Sequence, residues 1–86
     1  MEEEEEERLQ IRVFPNPSQN KELTIEMKEM GFYTVSIFDL LGRKVDHFMF
    51  EGIEYQLIHK NIATGIYILE IQDETEVLFK GKFMVL

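Results

Sequence analysis

Apolar and polar residues alternate along most of this chain, and a period of two is the mark of strands with one buried face. Leu9, Ile11 and Val13 share one face of a first strand, with Gln10 and Arg12 on the other. Pro15-Asn16-Pro17-Ser18-Gln19-Asn20 follows; two prolines without N–H donors end ladder pairing, and the polar residues after them read as a loop. Leu23, Ile25 and Met27 mark a second strand, and Gly31 the next turn. Tyr33, Val35 and Ile37 oppose Phe32, Thr34, Ser36 and Phe38 in a third, rich in β-branched and aromatic residues. A fourth runs from Lys44 through Val45, Phe48 and Phe50 to a turn at Gly52, and Ile53, Tyr55 and Leu57 make a fifth. His59 to Thr64 reads as a crossing loop. Tyr67, Leu69 and Ile71 against Ile66, Ile68 and Glu70 form a sixth strand, apolar on nearly both faces. Asp73-Glu74 turns the chain into a last strand, Val77 to Leu86, with a bend at Gly81. About seven short strands, roughly 8–12 residues apart and with no helical pattern, predict an all-β fold: an immunoglobulin-like antiparallel β-sandwich.

The connection Phe38-Asp39-Leu40-Leu41-Gly42-Arg43-Lys44 is a hairpin signal. Asp39 closes a strand and its carboxylate can accept from a backbone N–H two residues on. Gly42 supplies the positive φ of a type I turn followed by a bulge, and Arg43 restarts the partner strand. Leucines at 40 and 41 are unexpected in a turn; they are expected to fold back over the end of the core rather than form an exposed apolar patch. Gly65 lets the crossing loop enter the sixth strand with φ > 0. Tyr67, just inside that strand, is placed to act as a tyrosine corner, its hydroxyl bonding back to loop backbone.

Composition changes the picture at one end. The 86 residues carry a formal net charge of −8; Glu2 to Glu7 hold six of those charges, and removing them leaves −2 after Glu7. Like charges so closely spaced favour an extended, solvated segment. Residues 1–8 therefore read as an acidic, solubilising leader and 9–86 as a single sandwich domain. At 44% hydrophobic and 12% aromatic, that domain has enough apolar surface for a core. With no cysteine in the sequence, disulfides and thiolate metal sites are excluded. No apolar run approaches the roughly 18–20 residues of a membrane-spanning helix. The start, Met1 into Glu2, lacks the basic and apolar regions of a secretory signal.

Candidate chemistry is sparse. Ser18 and Ser36 have no nucleophile-elbow motif around them, and His47 and His59 lack an acidic pair at metal-ligand spacing. Asp39, Asp46 and Asp73 fall at or near turns, where local hydrogen bonding favours Asp. No glycine-rich phosphate cradle is present, and the nine Lys and Arg are scattered rather than clustered as nucleic-acid binding requires. These features predict no catalytic residues, no cofactor, no metal, no small-molecule substrate and no nucleic-acid partner. A monomer or a weak edge-strand dimer is the expected state.

Four stretches, taken in order, carry a family likeness: Val13 to Met27 (VFPNPSQNKELTIEM), Tyr33 to Val45 (YTVSIFDLLGRKV), Ile62 to Ile71 (IATGIYILEI) and Lys80 to Leu86 (KGKFMVL). Together they resemble a type A C-terminal sorting domain of the type IX (Por) secretion system of Bacteroidetes, from about residue 11 onward. The resemblance implies a small immunoglobulin-like sandwich at the end of an exported protein, passing from the periplasm to the cell surface or medium. The outer-membrane translocon recognises such a domain, and a sortase-like peptidase usually removes it. Pro15, Asn16 and Pro17 match the first motif; Asp39, Gly42, Arg43 and Lys44 match the central hairpin; Gly65 and Tyr67 match the third. Lys80, Lys82 and the apolar residues from Phe83 through Val85 to Leu86 match the terminal strand. Arg43, Lys44, Lys80, Lys82, Phe83 and Val85 are accordingly the expected partner-recognition residues. The glutamates standing where a linker belongs suggest an excised or artificial leader, and the end Phe-Met-Val-Leu lacks the basic residue many members keep near the last position. An alternative reading is a structural or adhesive immunoglobulin-like module, or a designed sandwich on such a template.

Overall fold

A computed structural model describes residues 11–19, 22–58 and 62–86. The expected leader, Leu9 and Gln10 of the first strand, and His59 to Asn61 of the crossing loop lie outside the described residues. Five strands are present: β1 (Arg12–Gln19), β2 (Glu22–Phe38), β3 (Lys44–Ile58), β4 (Gly65–Gln72) and β5 (Val77–Val85). They form one sheet in the order β1-β5-β4-β2-β3, and β1 pairs with β2 as well as with β5. That double pairing curls the sheet into a half-barrel, the arrangement of a small β-sandwich.

Seven expected strands become five because two pairs of them are continuous. The expected second and third strands are one 17-residue strand, β2, and the fourth and fifth are one 15-residue strand, β3. Gly31 and Gly52, read as turns, sit inside these strands and pair with each other. The bend is a bulge: the ladder passes from Glu26↔Glu54 to Gly31↔Gly52, so four residues of β2 face Ile53 alone. Below the bend β2 is flanked by β1; above it, by β4. One long bent hairpin thus serves both layers, which a period-two reading alone cannot distinguish from separate strands.

The prolines act at a change of partner rather than at an end. Arg12 to Phe14 run antiparallel to Thr24–Glu26, and Ser18 then pairs in parallel with Val85. Pro15 and Pro17, which have no N–H to give either ladder, lie between the two pairings, and the strand continues through them to Gln19. The expected bend at Gly81 is absent: Gly81 pairs with Leu69 in regular register, and the irregularity of that ladder lies between Ile71 and Gln72 of β4.

The buried face is continuous. Leu23, Ile25, Val35, Ile37, Leu69, Ile71 and Val85 are essentially inaccessible, with Met27, Tyr33, Phe50, Leu57, Ile62, Tyr67 and Phe83 around them. Each such side chain contributes about 1.5–3 kcal/mol relative to exposure. Aromatic rings bridge the bend: Phe50 lies 5.4 Å from Tyr33 and 5.0 Å from Tyr55, which in turn stacks 5.0 Å from Phe48.

Two tyrosine corners fix where the chain enters its central strands. The Tyr67 hydroxyl donates to the Ala63 carbonyl at 2.7 Å, and the Tyr33 hydroxyl donates to the Glu29 carbonyl at 2.6 Å. Each spans four residues with a glycine two places before the tyrosine, Gly65 and Gly31. The second corner is invisible to motif reading because Gly31 looks like a turn. Its glycine is needed for space: a Cβ at 31 would lie 2.8 Å from the Tyr33 ring and hydroxyl. Burial and the nearby charges of Glu29 and Asp73 push the Tyr33 phenol up from its ordinary value, so the hydroxyl stays a donor across physiological pH.

Candidate recognition surface

The sheet's outer face follows from the ladders, since directly paired residues share a face. Phe38 pairs with Ile68 and with Lys44, and Ile68 pairs with Lys82. This makes one row across four strands, Lys82–Ile68–Phe38–Lys44, with the Lys44 ammonium 5.9 Å from the Phe38 ring centroid. The next row towards the β2–β3 turn is Met84–Ile66, one step beyond the last β2–β4 pair, Phe38↔Ile68, and Leu40 and Leu41 lie in the turn that follows Phe38. Ile66, Met84, Leu40, Leu41, Val45 and Leu86 are all exposed. Apolar side chains fringed by cations therefore occupy one end of the outer face. There the hairpin, the start of β4 and the end of β5 converge.

The turn that carries the leucines is tightly organised. The Gly42 N–H donates to the Asp39 carbonyl at 3.0 Å, and the Asp39 N–H donates to the Arg43 carbonyl at 2.9 Å. Gly42 has φ 89°, the left-handed value that favours glycine after a type I turn. The Asp39 carboxylate accepts from the backbone N–H groups of Leu41 and Arg43, both at 2.9 Å, and from the Arg43 Nε at 2.7 Å. These donors, the Arg43 backbone N–H foremost, hold the Asp39 carboxyl below the usual carboxylate range. With backbone demands met inside the turn, Leu40 and Leu41 point outward, 62% and 80% exposed. The expectation that they fold over the core is corrected: both leucines are exposed, and the core residues nearest in the ladders, Ile37, Tyr67, Phe83 and Val85, are buried without them.

The expected recognition residues divide by parity. Lys80 and Lys82 are exposed on the outer face of β5, opposite Glu70 and Ile68. Arg43 is exposed but holds Asp39. Phe83 and Val85 face inward and are 2% and 0% exposed, so in the folded domain they pack the core. Their neighbours Met84 and Leu86, part of the same terminal motif but outside the expected recognition set, are the outward residues. Alternation counted on from Lys80 and Lys82 is the signal that points to Met84. Pro15 is exposed, whereas the side chains of Asn16 and Pro17 lie outside the described residues. Gly65 has φ 157° beneath the Tyr67 corner.

Among the described residues, the remaining polar groups are engaged locally. His47 is exposed, and its backbone N–H donates to the Asp46 carboxylate at 2.8 Å. Among the described residues no group of three or more His, Cys, Asp or Glu side chains is arranged to hold a metal ion. A shallow cleft of about 240 Å³ is lined by Phe32, Asp73, Glu74 and Thr75, where the Thr75 hydroxyl already donates to Asp73 at 3.0 Å.

With this geometry in hand, comparison with known proteins is decisive: residues 12–85 match the family described as the secretion system C-terminal sorting domain. The chain belongs to that family. Its members are the C-terminal sorting signals of type IX secretion, borne by exported cargo proteins, and the family is one of signals rather than catalysts. A 76-residue stretch is 32% identical to part of an endo-acting ulvan lyase of Formosa agariphila; it covers 87% of this chain and 14% of the lyase. The fold also matches the structure of PorZ, an essential surface component of the type IX secretion system of Porphyromonas gingivalis. The TM-score is 0.73 at 21% identity, over 93% of this chain and 12% of PorZ. The chain thus spans about one seventh or less of each of these proteins' length.

Proposed function

We propose that secretion machinery reads this sorting domain in its folded state, at the cation-fringed apolar end of the outer face. Leu40, Leu41, Ile66 and Met84 supply the apolar contact, and Lys44 and Lys82 draw an acidic-rimmed partner surface. The observation that carries this reading is convergence: three sequence stretches far apart in the chain bring exposed apolar residues to the same end of the sheet, at a turn that needs no leucine for its own hydrogen bonds. An outer-membrane translocon is the partner class, and a sortase-like peptidase removes the domain upstream of β1 once the cargo has crossed. The destination is the cell surface or the medium, and residues 1–8 serve as a linker-like leader.

The experiment is export of a signal-peptide–reporter–domain fusion in a host with a type IX translocon and in its translocon-deficient derivative. Translocon-dependent release is expected, and it should be lost when Gly81 to Leu86 are deleted or when Leu40 and Leu41 are both changed to Ser. A reporter trapped in the periplasm with the domain folded would favour an adhesive module instead. Undiminished export by the folded leucine variant would move recognition away from this end.

A further inference from the structure

The sheet ends on β3, a 15-residue strand that among the described residues pairs only with β2. It contains no proline and a single lysine, at its first position. Long edges of this kind are templates for strand addition unless something covers them. Its outward residues include Val45, Met49 and Ile53, 43%, 61% and 43% exposed.

We infer that β3 is a homodimer interface, pairing antiparallel with β3 of a second copy about a two-fold axis at Met49. Three observations lead to that register. First, alternate residues of an edge strand direct their N–H and C=O groups outward, so two copies can pair only residues of equal parity, and the paired numbers must sum to an even value. Second, β3 keeps regular register with β2 between two irregularities, from Asp46↔Ile37 to Gly52↔Gly31, and the centre of that stretch is Met49. Third, the axis at Met49 is the self-complementary one. It sets Lys44 opposite Glu54, His47 opposite Glu51, Phe48 opposite Phe50, Val45 opposite Ile53, and Met49 opposite itself. Moving the axis by one residue to Phe50 opposes Asp46 to Glu54, and moving it again to Glu51 opposes that carboxylate to its own copy. Shifting to Phe48 sets Val45 against Glu51 and Asp46 against Phe50. Cross-strand pairs of opposite charge and of apolar side chains stabilise a ladder, and like charges directly opposite destabilise it.

This pairing would join two half-barrels through their open edges. It buries the exposed methionine, and it extends the aromatic row of Phe48 and Phe50 across the axis. It leaves Leu40, Ile66 and Met84 uncovered but takes up Lys44 and Val45, so the dimer and the recognition surface proposed above share those two residues.

The test is sedimentation velocity on the 86-residue chain across a concentration series. Reversible dimerisation is expected, and Lys44→Glu should weaken it by about tenfold or more, because two Glu–Glu oppositions replace two ion pairs. Lys44→Glu with Glu54→Lys should restore it, an outcome that loss of folding in the single variant could not produce. Since the chain has no cysteine, Met49→Cys gives an orthogonal readout. Residues paired on an axis lie within disulfide reach, so this variant should oxidise to a covalent dimer faster than Val77→Cys, a comparably exposed site on β5, which does not adjoin β3. A chain monomeric at all concentrations would overturn the assignment. So would a dimer indifferent to Lys44→Glu whose Met49→Cys variant cross-links no faster than Val77→Cys.

Discussion

Two hairpin turns of this domain, β2–β3 and β4–β5, solve the same backbone problem with the same residue and then differ in what they display. Asp39 follows β2 and Asp73 follows β4. Asp39 accepts from two backbone N–H groups and the Arg43 guanidinium. Asp73 accepts from the Thr75 and Glu76 N–H groups at 2.8 and 2.9 Å and from the Thr75 hydroxyl. In both, backbone donors draw the carboxyl below its ordinary range: chiefly Arg43 N–H at the first turn, and Thr75 N–H at the second. Yet the first tip shows two leucines and the second shows Glu74, Thr75 and Glu76, all exposed. The second turn demonstrates that the fold asks for no apolar residue at such a tip. The leucines are therefore a display, and the comparison separates what the turn needs from what the protein presents.

The sharpest way to break the first turn without touching its display is Gly42→Val. A Cβ there meets no atom within 4 Å, so the whole effect is backbone strain at φ 89°. A β-branched residue in the left-handed region should cost about 2–3 kcal/mol, read as a lower urea midpoint with an unchanged slope. The second turn, which contains no glycine, has no equivalent weak point.

Acid should act on the two turns alike. Because both folded-state carboxyls titrate below the unfolded value, their contribution is complete above the ordinary carboxylate range, near pH 4. It is lost as pH falls through the depressed folded values. Asp39→Asn with Asp73→Asn should lower stability at neutral pH and flatten its decline below about pH 4. Each single variant should account for part of that change. A stability–pH curve whose acid limb stays as steep in the double variant would show that the two turns do not supply it.

How much of this was legible in the sequence depends on the range of the interaction. The hairpin at Asp39 and Gly42 and the corner at Tyr67 rest on contacts within four residues, and local spacing predicts them. The continuity of β2 through Gly31 does not. It depends on Gly52 pairing opposite, on the Tyr33 ring lying over the glycine, and on the aromatic stack bridging the bend, contacts that period-two counting cannot see. The positions of Leu40 and Leu41 escape a sequence reading for a related reason. Hydrophobicity argues for burial, but whether a core closes without them is a property of Ile37, Tyr67, Phe83 and Val85 assembled. The same parity that buries Phe83 and Val85 puts Met84 outside, so the terminal strand's solvent-facing set is the alternate one from that its apolar residues first suggest.

The smallest expected effect on stability belongs to the change with the largest expected effect on function. Leu40→Ser with Leu41→Ser alters side chains that are mostly solvated, in a turn whose hydrogen bonds all come from Asp39, Gly42 and Arg43 and from the Leu41 backbone rather than its side chain. The unfolding free energy should move by less than about 0.5 kcal/mol. If the leucines are contact residues, translocon-dependent export of a reporter fusion should nevertheless fall by about tenfold, the equivalent of roughly 1.4 kcal/mol of lost association. Glu74→Ser with Glu76→Ser at the opposite turn is the matched control, also exposed and expected to leave export unchanged. Equal losses at both tips would mean that the machinery senses the sheet as a whole. A loss confined to the leucine tip would fix the contact at that end of the outer face, with the turn beneath it as a rigid mount.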